Sequence, residues 1–293
     1  MNSNEGSVAK KTPGREHSFA FKVAVIRQQF RNFARYLKFH WRALGPAPVT
    51  PHGFRLQGNR YMQTGVFEPE ETALTERCLR EADVFINVGA NIGYYCLHAL
   101  KLGRKTVAFE PNDLNVLHLL HNVHLNGWEE GFELFPLALS DQTGILKIYG
   151  GGTGASLLSG WAGSQAFHST LCPVARMDDV LGSRFAGKRC FILVDIEGAE
   201  LAMLRGAQQL LNQNPRPIWL VEVCKRGHNN VLNPNFEATF ELFWAAGYSA
   251  WVAAKKPRRL EKPDLTSGND ALLAGSNFLF VAAGAEPAWF TGA

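Results

Sequence analysis

Apolar and polar positions alternate along most of the chain in the manner of strands separated by helices. Val84–Val88 is an unbroken apolar run that reads as a strand buried on both faces, and it ends in Gly89-Ala90-Asn91-Ile92-Gly93. An apolar helix is predicted from Tyr94 to Leu102, and a second short strand from Lys105 to Phe109, closed by Glu110-Pro111. A helix over roughly 113–125 leads to a third strand, Phe132 to Leu139, ending at Ser140-Asp141. Further on, Ile145–Tyr149 and Leu171–Ala175 have strand character, and Asp178-Asp179 opens a short helix. Arg189–Val194 reads as a fourth buried strand, followed by Asp195-Ile196-Glu197-Gly198-Ala199-Glu200 and a helix to Leu211. Ile218–Val223 is a fifth, with Glu222 near its tip. After a helix from Phe236 to Ala246, Tyr248–Ala253 and Asn277–Ala282 have no long helix between them and predict an antiparallel closing pair, joined through a basic, Pro-containing loop at 255–262. The alternation predicts an α/β fold around a mostly parallel sheet.

Upstream, the pattern changes. Residues 1–17 are polar and basic and lack the composition of a packed segment. Between residues 19 and 44, Ile26, Phe30, Phe33, Leu37, Trp41 and Leu44 recur at spacings of three and four, while Arg27, Arg31, Arg35, Lys38 and Arg42 follow another face. This basic amphipathic helix either packs its stripe on the protein's own body or offers it to an anionic membrane or a partner; nucleic acid is disfavoured. Gly45-Pro46-Ala47-Pro48 ends it. Tyr61–Glu68 is read as a short strand or loop and Glu70–Glu81 as a helix leading into the first strand. The organisation expected is thus a tail and helix over 1–50, a linker and lead-in helix over 51–82, and the main domain over 83–293.

Charge sharpens that division. The net charge of +4 hides eleven Lys and Arg against Glu5 and Glu16 up to residue 60, so the remainder is mildly acidic. The chain is long enough for one large core plus an extension. Five scattered cysteines, with no CxxC pair, argue against a disulfide framework or a thiolate zinc site and for a reducing compartment. No secretory leader pattern and no membrane span is read, so a cytoplasmic protein is expected, with the basic helix permitting a peripheral position on the inner face of a membrane.

Several motifs carry chemistry. Strand, glycine turn and helix form half of a nucleotide-binding βαβ unit, and Glu110 lies about 17 residues past Gly93, near the place where such a unit puts a carboxylate on ribose hydroxyls. Asp141, at the third strand's tip, falls near the adenine of a nucleotide so placed. Asp195 and Glu197 stand at the fourth tip as site-lining acids, whereas Glu200 suits the first turn of a helix. His118, His121 and His124 are spaced by threes, turning 300° at each step, and so fan across their helix instead of converging on a metal. The glycine run at 150–154 lacks the Gly-Lys-Ser/Thr ending of a phosphate loop.

Taken together, INVGANIGYY, AFEPN with Asn122 and Asn126 in the helix that follows, PLALSD, RMDDVL, VDIEGAELAMLRGA, the strand from Pro217 to Glu222 and the terminal SNFLFV resemble the FkbM family of S-adenosylmethionine-dependent methyltransferases over about residues 83–283. The resemblance implies a Rossmann-like, seven-stranded class I methyltransferase sheet, mostly parallel with an antiparallel C-terminal strand pair. It implies S-adenosylmethionine as methyl donor and O-methylation of a hydroxyl on a sugar, glycan, glycolipid or natural product. Carried over residue by residue, Asn87, Gly89, Ala90, Asn91 and Gly93 lie by the methionine half of the donor, Glu110 takes the ribose, and Asp141 accepts from the adenine amino group. Asp195 and Glu197 line the meeting place of methyl and acceptor, with Glu222 and His228 approaching from the fifth strand; no residue is assigned to a metal. The chain departs from the family pattern at Asn87, where members usually carry Asp, and at Leu193, where they often carry Lys. A divalent cation held by Asp195 and Glu197 is the less favoured alternative to a metal-free base. Two other classes suit parts of the pattern: a nicotinamide-dependent oxidoreductase, although Asn91 interrupts GxGxxG, and a non-catalytic nucleotide-binding module.

Overall fold

A computed structural model describes residues 45, 47–150, 156–158, 161, 169–227, 231–266, 273 and 276–290, together with 23, 26, 27, 29, 30, 33, 34, 36 and 37. The chain forms two compact units, Met1–Leu44 and Gly45–Ala293. In the first, the nine described residues are helical, and Ile26, Phe30, Phe33 and Leu37 are exposed. No helix among the described residues is long and apolar enough to cross a membrane.

The second unit opens with α1 (Arg60–Gln63) and α2 (Pro69–Glu81), then β1 (Val84–Val88), α3 (Tyr94–Lys101), β2 (Lys105–Phe109), α4 (Asp113–His124) and β3 (Phe132–Phe135). Next come β4 (Ala138–Leu139), β5 (Gly144–Tyr149), β6 (Ser169–Ala175), α5 (Met177–Leu181) and β7 (Cys190–Val194). The C-terminal part holds α6 (Glu200–Arg205), α7 (Gln208–Asn212), β8 (Ile218–Glu222), α8 (Phe236–Ala245), β9 (Tyr248–Val252), β10 (Arg258–Leu260), α9 (Lys262–Thr266) and β11 (Asn277–Ala282).

The main sheet has eight strands in the order β10-β9-β11-β8-β7-β1-β2-β3. β8, β7, β1, β2 and β3 are parallel, and β11 runs antiparallel to both β8 and β9. The chain winds outward from β1 to β3 on one side, then returns to β7 and winds the other way. The order therefore reverses between β1 and β7, and open α/β sheets of this kind bind ligands beyond the C-terminal ends of the strands at that point. Every residue of β1 and β7 is buried, as strands covered on both faces require. Period-two alternation sends Ile86, Val88, Ile192 and Val194 towards Met203, Leu204, Phe240 and Phe243, and Phe85, Phe191 and Leu193 towards Leu97, Cys96 and Leu74.

The sequence reading is corrected in three places. Phe132–Leu139 is not one strand: β3 ends at Phe135, and Ala138-Leu139 leaves the main sheet to pair with Val174 and Ala175 in a small β4-β6-β5 sheet. Helix α1 forms where a strand or loop is read, because the Asn59 side chain accepts from the Tyr61 and Met62 amides and caps it. The basic loop at 255–262 contains β10, an eighth edge strand paired with β9.

The stretch before α1 belongs to the body. Phe54 and Leu56 are buried. The amide of Asn122 joins Gln57 through both backbone groups, with Gln57 N donating at 2.8 Å and Asn122 Nδ2 donating to Gln57 O at 3.0 Å. Asn126 does the same with Arg55, both bonds being 2.8 Å. Two side-chain amides one helical turn apart thus act as a strand edge for residues 55–57 and also fasten Ile92, whose carbonyl accepts from Asn122 Nδ2 at 2.9 Å.

Candidate active site

Adjacent tips of β1 and β7 build the floor. Asp195 N donates to Val88 O at 3.0 Å, and Gly89 N and Ala90 N both donate to Phe109 O, at 2.9 and 3.1 Å. Gly89 has φ 84°, and a Cβ there would lie 1.9 Å from the Asp195 carbonyl, so two strand tips can touch only across a glycine. Gly93 has a different close neighbour: a Cβ there would meet Leu119 of α4 at 2.2 Å.

A cleft of about 580 Å³, the solvent at its open mouth included, lies above these tips. Gly89, Asn91, Glu110, Asp195 and Glu197 line it, with an apolar wall from Phe109 and Leu137–Leu139. Glu110 is 5% exposed and already tightly held. Its Oε2 accepts from Asn91 N at 2.7 Å; its Oε1 accepts from Asn112 N at 2.8 Å and Asn115 Nδ2 at 3.3 Å. Burial raises its pKa and these three bonds oppose the rise. The carboxylate therefore also locks the glycine turn to the start of α4.

Asn87 lies one residue below the tip, 2% exposed, its Nδ2 donating to Cys96 Sγ at 3.5 Å and its Oδ1 lacking a partner. Its side chain shares the face of Phe85 and so turns towards α3. Ala90 is buried in the turn and is not part of the lining. Asp141 is exposed, accepts from Ser140 Oγ at 3.3 Å and is likewise absent from the lining. The early end of β3 explains this: the chain crosses the cleft wall at Leu137–Leu139 before reaching Asp141.

The other end of the cleft is acidic. Asp195 is exposed and lines the cleft. Its pKa is raised well above the ordinary 3.8, first by desolvation and then by the charge and hydrogen bond of Glu222, with Glu197 and Glu68 adding to the field. Asp195 and Glu222 thus form a hydrogen-bonded carboxyl pair. Glu222 also accepts from Ser276 Oγ at 2.7 Å and from Cys224 Sγ at 3.7 Å. Burial beside these carboxylates pushes the Cys224 thiol up to about 12. Glu197 accepts from Trp161 Nε1 at 3.3 Å, and its carbonyl accepts from Ser156 Oγ at 2.6 Å. Glu200 turns away from the cleft, 1% exposed, and accepts from Gly198 N at 2.7 Å; burial lifts its pKa from 4.5 to about 8. His228 lies outside the described residues.

Glu68, Tyr95, Trp161 and Ser276 join the site without a sequence signal that would have found them. Tyr95 Oη donates to Glu68 Oε2 at 2.6 Å, and burial raises the Glu68 pKa, with the Glu222 charge contributing. A backbone feature recurs around the cleft: among the described residues the non-glycine positions with left-handed φ are Glu68 (41°), Asn91 (51°) and Glu197 (55°). Backbone held in that region costs of the order of 1–3 kcal/mol and tends to gather where side chains must be presented in fixed directions.

A parallel sheet with its order reversed at β1/β7, a glycine turn and an acid at the β2 tip define a Rossmann-like α/β protein. The profile of the methyltransferase FkbM domain matches residues 87–250, and the chain belongs to the FkbM methyltransferase family. No curated protein matches the sequence. Among solved structures, methyltransferase FkbM from Methylobacillus flagellatus is 16% identical, with a TM-score of 0.43, over 85% of this chain and 58% of that one; this chain thus spans little more than half of that protein's length. An O-methyltransferase from Bacillus cereus in complex with SAH is 12% identical, with a TM-score of 0.43, over 75% of this chain and 83% of that one. Precorrin-6y C5,15-methyltransferase from Geobacter metallireducens is 13% identical, with a TM-score of 0.39, over 74% and 89%. At TM-scores below 0.5 these likenesses pass no functional property to this chain.

Proposed function

We propose that the cleft binds S-adenosylmethionine and that the chain methylates a hydroxyl oxygen of a sugar, glycan, glycolipid or natural product. The observation that carries this reading is a cleft with a buried carboxylate and an apolar wall at one end and a hydrogen-bonded acid pair at the other. The residues fit the donor. Glu110 accepts from the ribose hydroxyls with lone pairs left over from its three backbone and side-chain donors. Leu137–Leu139 offer a flat apolar surface for adenine, and the Gly89–Asn91 turn leaves room for the methionine half. When bound, the donor supplies an electrophilic methyl group on a sulfonium, and the products are the methyl ether and S-adenosylhomocysteine.

The chain's own part is to position and to move a proton. A hydroxyl is a poor nucleophile, and a base that takes its proton as the C–O bond forms contributes about 10²–10⁴-fold. Asp195 is that base in its deprotonated form: burial and the neighbouring carboxylates raise its pKa, which makes it a stronger base than an ordinary carboxylate. Glu222 and Ser276 orient it, and Glu197, fixed by Trp161, faces the acceptor. Holding donor carbon and acceptor oxygen about 3–3.5 Å apart supplies much of the remaining acceleration.

The exposed apolar stripe Ile26, Phe30, Phe33 and Leu37, in a segment rich in Arg and Lys, supports a position on an anionic membrane surface, where glycolipid acceptors lie. The test of the activity is titration of the purified chain with S-adenosylmethionine and with NAD, followed by mass spectrometry of glycans and lipids from a deletion strain. Binding of the first and not the second, with loss of one CH₂ from a cellular product, is expected. NAD binding without S-adenosylmethionine binding refutes the reading.

A further inference from the structure

A second constellation lies away from the cleft, and none of its residues lines it. His52 comes from the segment before α1, Glu76 from α2 and His98 from α3. One donor atom from each lies within 4.8 Å of the other two. His98 Nδ1 is 3.1 Å from Glu76 Oε1, and His52 Nδ1 is 3.6 Å from the same oxygen. We propose that His52, Glu76 and His98 bind a divalent transition-metal ion of the zinc type, which clasps the lead-in segment and α2 to α3. The proposal is independent of the methyltransferase reading.

The geometry is the first support. A tetrahedral ion with bonds of about 2.0–2.1 Å sets its ligand atoms about 3.3 Å apart, and the two distances to Glu76 Oε1 bracket that value. The donor set, two imidazoles and a carboxylate, suits zinc and its neighbours over magnesium or calcium. The second support is the arrangement behind His52. Ligating histidines usually engage their other ring nitrogen so that the tautomer is fixed. Here Tyr94 Oη lies 3.1 Å from His52 Nε2 and in turn accepts from Thr72 Oγ1 at 3.4 Å, which leaves Nδ1 for the ion. The third is burial. His98 is 3% exposed, is enclosed by the rings of Phe54 and Tyr94, and has no hydrogen-bond partner at Nε2. An imidazole placed so deeply is rotationally fixed before any ligand arrives. The two nearby cations are turned to other atoms: Arg80 to Glu76 Oε2 at 3.9 Å, and Lys101 to the His52 carbonyl.

The consequence is mechanical. α3 follows directly on Gly93, in the turn that carries Gly89 and Asn91, so an ion at this place ties the outer layer to the helix that abuts the cleft. His98→Ala risks the fold by emptying a ring cluster, so the test uses the more accessible ligands. The full-length chain, stripped with a chelator, is titrated calorimetrically with zinc chloride alone, then with cobalt chloride while the visible spectrum is recorded. One equivalent of zinc is expected, with the d–d bands of tetrahedral cobalt and no thiolate-to-cobalt charge-transfer band. Glu76→Gln and His52→Asn should each weaken zinc by at least about tenfold, the scale on which even outer-shell losses are felt, and leave S-adenosylmethionine binding unchanged. Absence of zinc binding, a thiolate band, or equal affinity in both variants overturns the proposal and leaves the three residues as a hydrogen-bonded cluster.

Discussion

Glu200 lends itself to a quantitative test, because its environment is closed. It is 1% exposed, accepts from the Gly198 backbone N–H at 2.7 Å, and burial moves its pKa from 4.5 to about 8. Below pH 4.5 it is protonated folded and unfolded, and the full stability is present. As pH rises, the unfolded chain releases the proton while the folded chain holds it. Stability then falls by about 1.4 kcal/mol per pH unit until the pH passes about 8, where the folded state also ionises and the loss levels off. Integrated between about pH 5 and about pH 8.5, the loss from this one group is roughly 3–4 kcal/mol. Glu200→Gln keeps the shape and the acceptor oxygen for Gly198 but cannot ionise. Urea unfolding followed by tryptophan fluorescence across that range should therefore show a stability difference between the variant and the wild type that widens with pH in favour of the variant by a few kcal/mol. Other groups, Asp195 included, titrate in both chains and cancel in the difference. Parallel curves, with a constant offset at every pH, would show that Glu200 ionises freely and that the turn from Asp195 to Ala199 is not sealed from water.

Three further outcomes test the site. Glu110→Ala removes a charged acceptor from the donor cleft and also releases the Asn91 and Asn112 amides; calorimetry should show S-adenosylmethionine binding weakened by roughly 1.5–3 kcal/mol, and unchanged affinity in a folded variant overturns the assignment. Asp195→Asn and Glu197→Gln should each keep donor affinity, and at least one should lower turnover roughly 100-fold. The wild-type pH–rate profile should have its rising limb displaced far above 3.8, since activity appears only as the raised Asp195 pKa is passed; full activity in both variants moves the base to Glu222 or His228. Deleting residues 1–44 should leave donor affinity intact and abolish flotation with anionic vesicles, and equal flotation of both forms removes the membrane reading.

The acid cluster shows how local information and tertiary arrangement divide the work. Asp195 and Glu197 are legible in sequence because two acids follow an apolar run with no capping role to occupy them. That Asp195 is hydrogen-bonded to Glu222 is not legible, since the two residues meet only because β7 and β8 are adjacent parallel strands with their tips level, Val194 pairing with Val221. Glu68 and Tyr95 are further from legibility: one precedes a proline at a helix start, the other sits in the first turn of α3, and neither position differs locally from countless solvated ones. Asp141 illustrates the reverse case. Its place after an apolar run is read correctly as a strand end, but the run itself breaks at Phe135, where the chain leaves one sheet for another, and a break of two residues carries no periodic signal.

The sequence by itself determined the strand–turn–helix unit at 84–101, the buried parallel strands, the acid at the β2 tip and the family, because each rests on short-range spacing: continuous apolar runs for strands covered on both faces, and glycine where backbone must touch backbone. Only the tertiary structure decided the partners across the cleft, the eighth strand, the clamp of Asn122 and Asn126 on residues 55–57, and the meeting of His52, Glu76 and His98. Those contacts join residues separated by up to tens of positions, and their existence depends on which elements become neighbours when the sheet's two layers are buried, a choice made by the sum of packing over the whole core and by no segment within it.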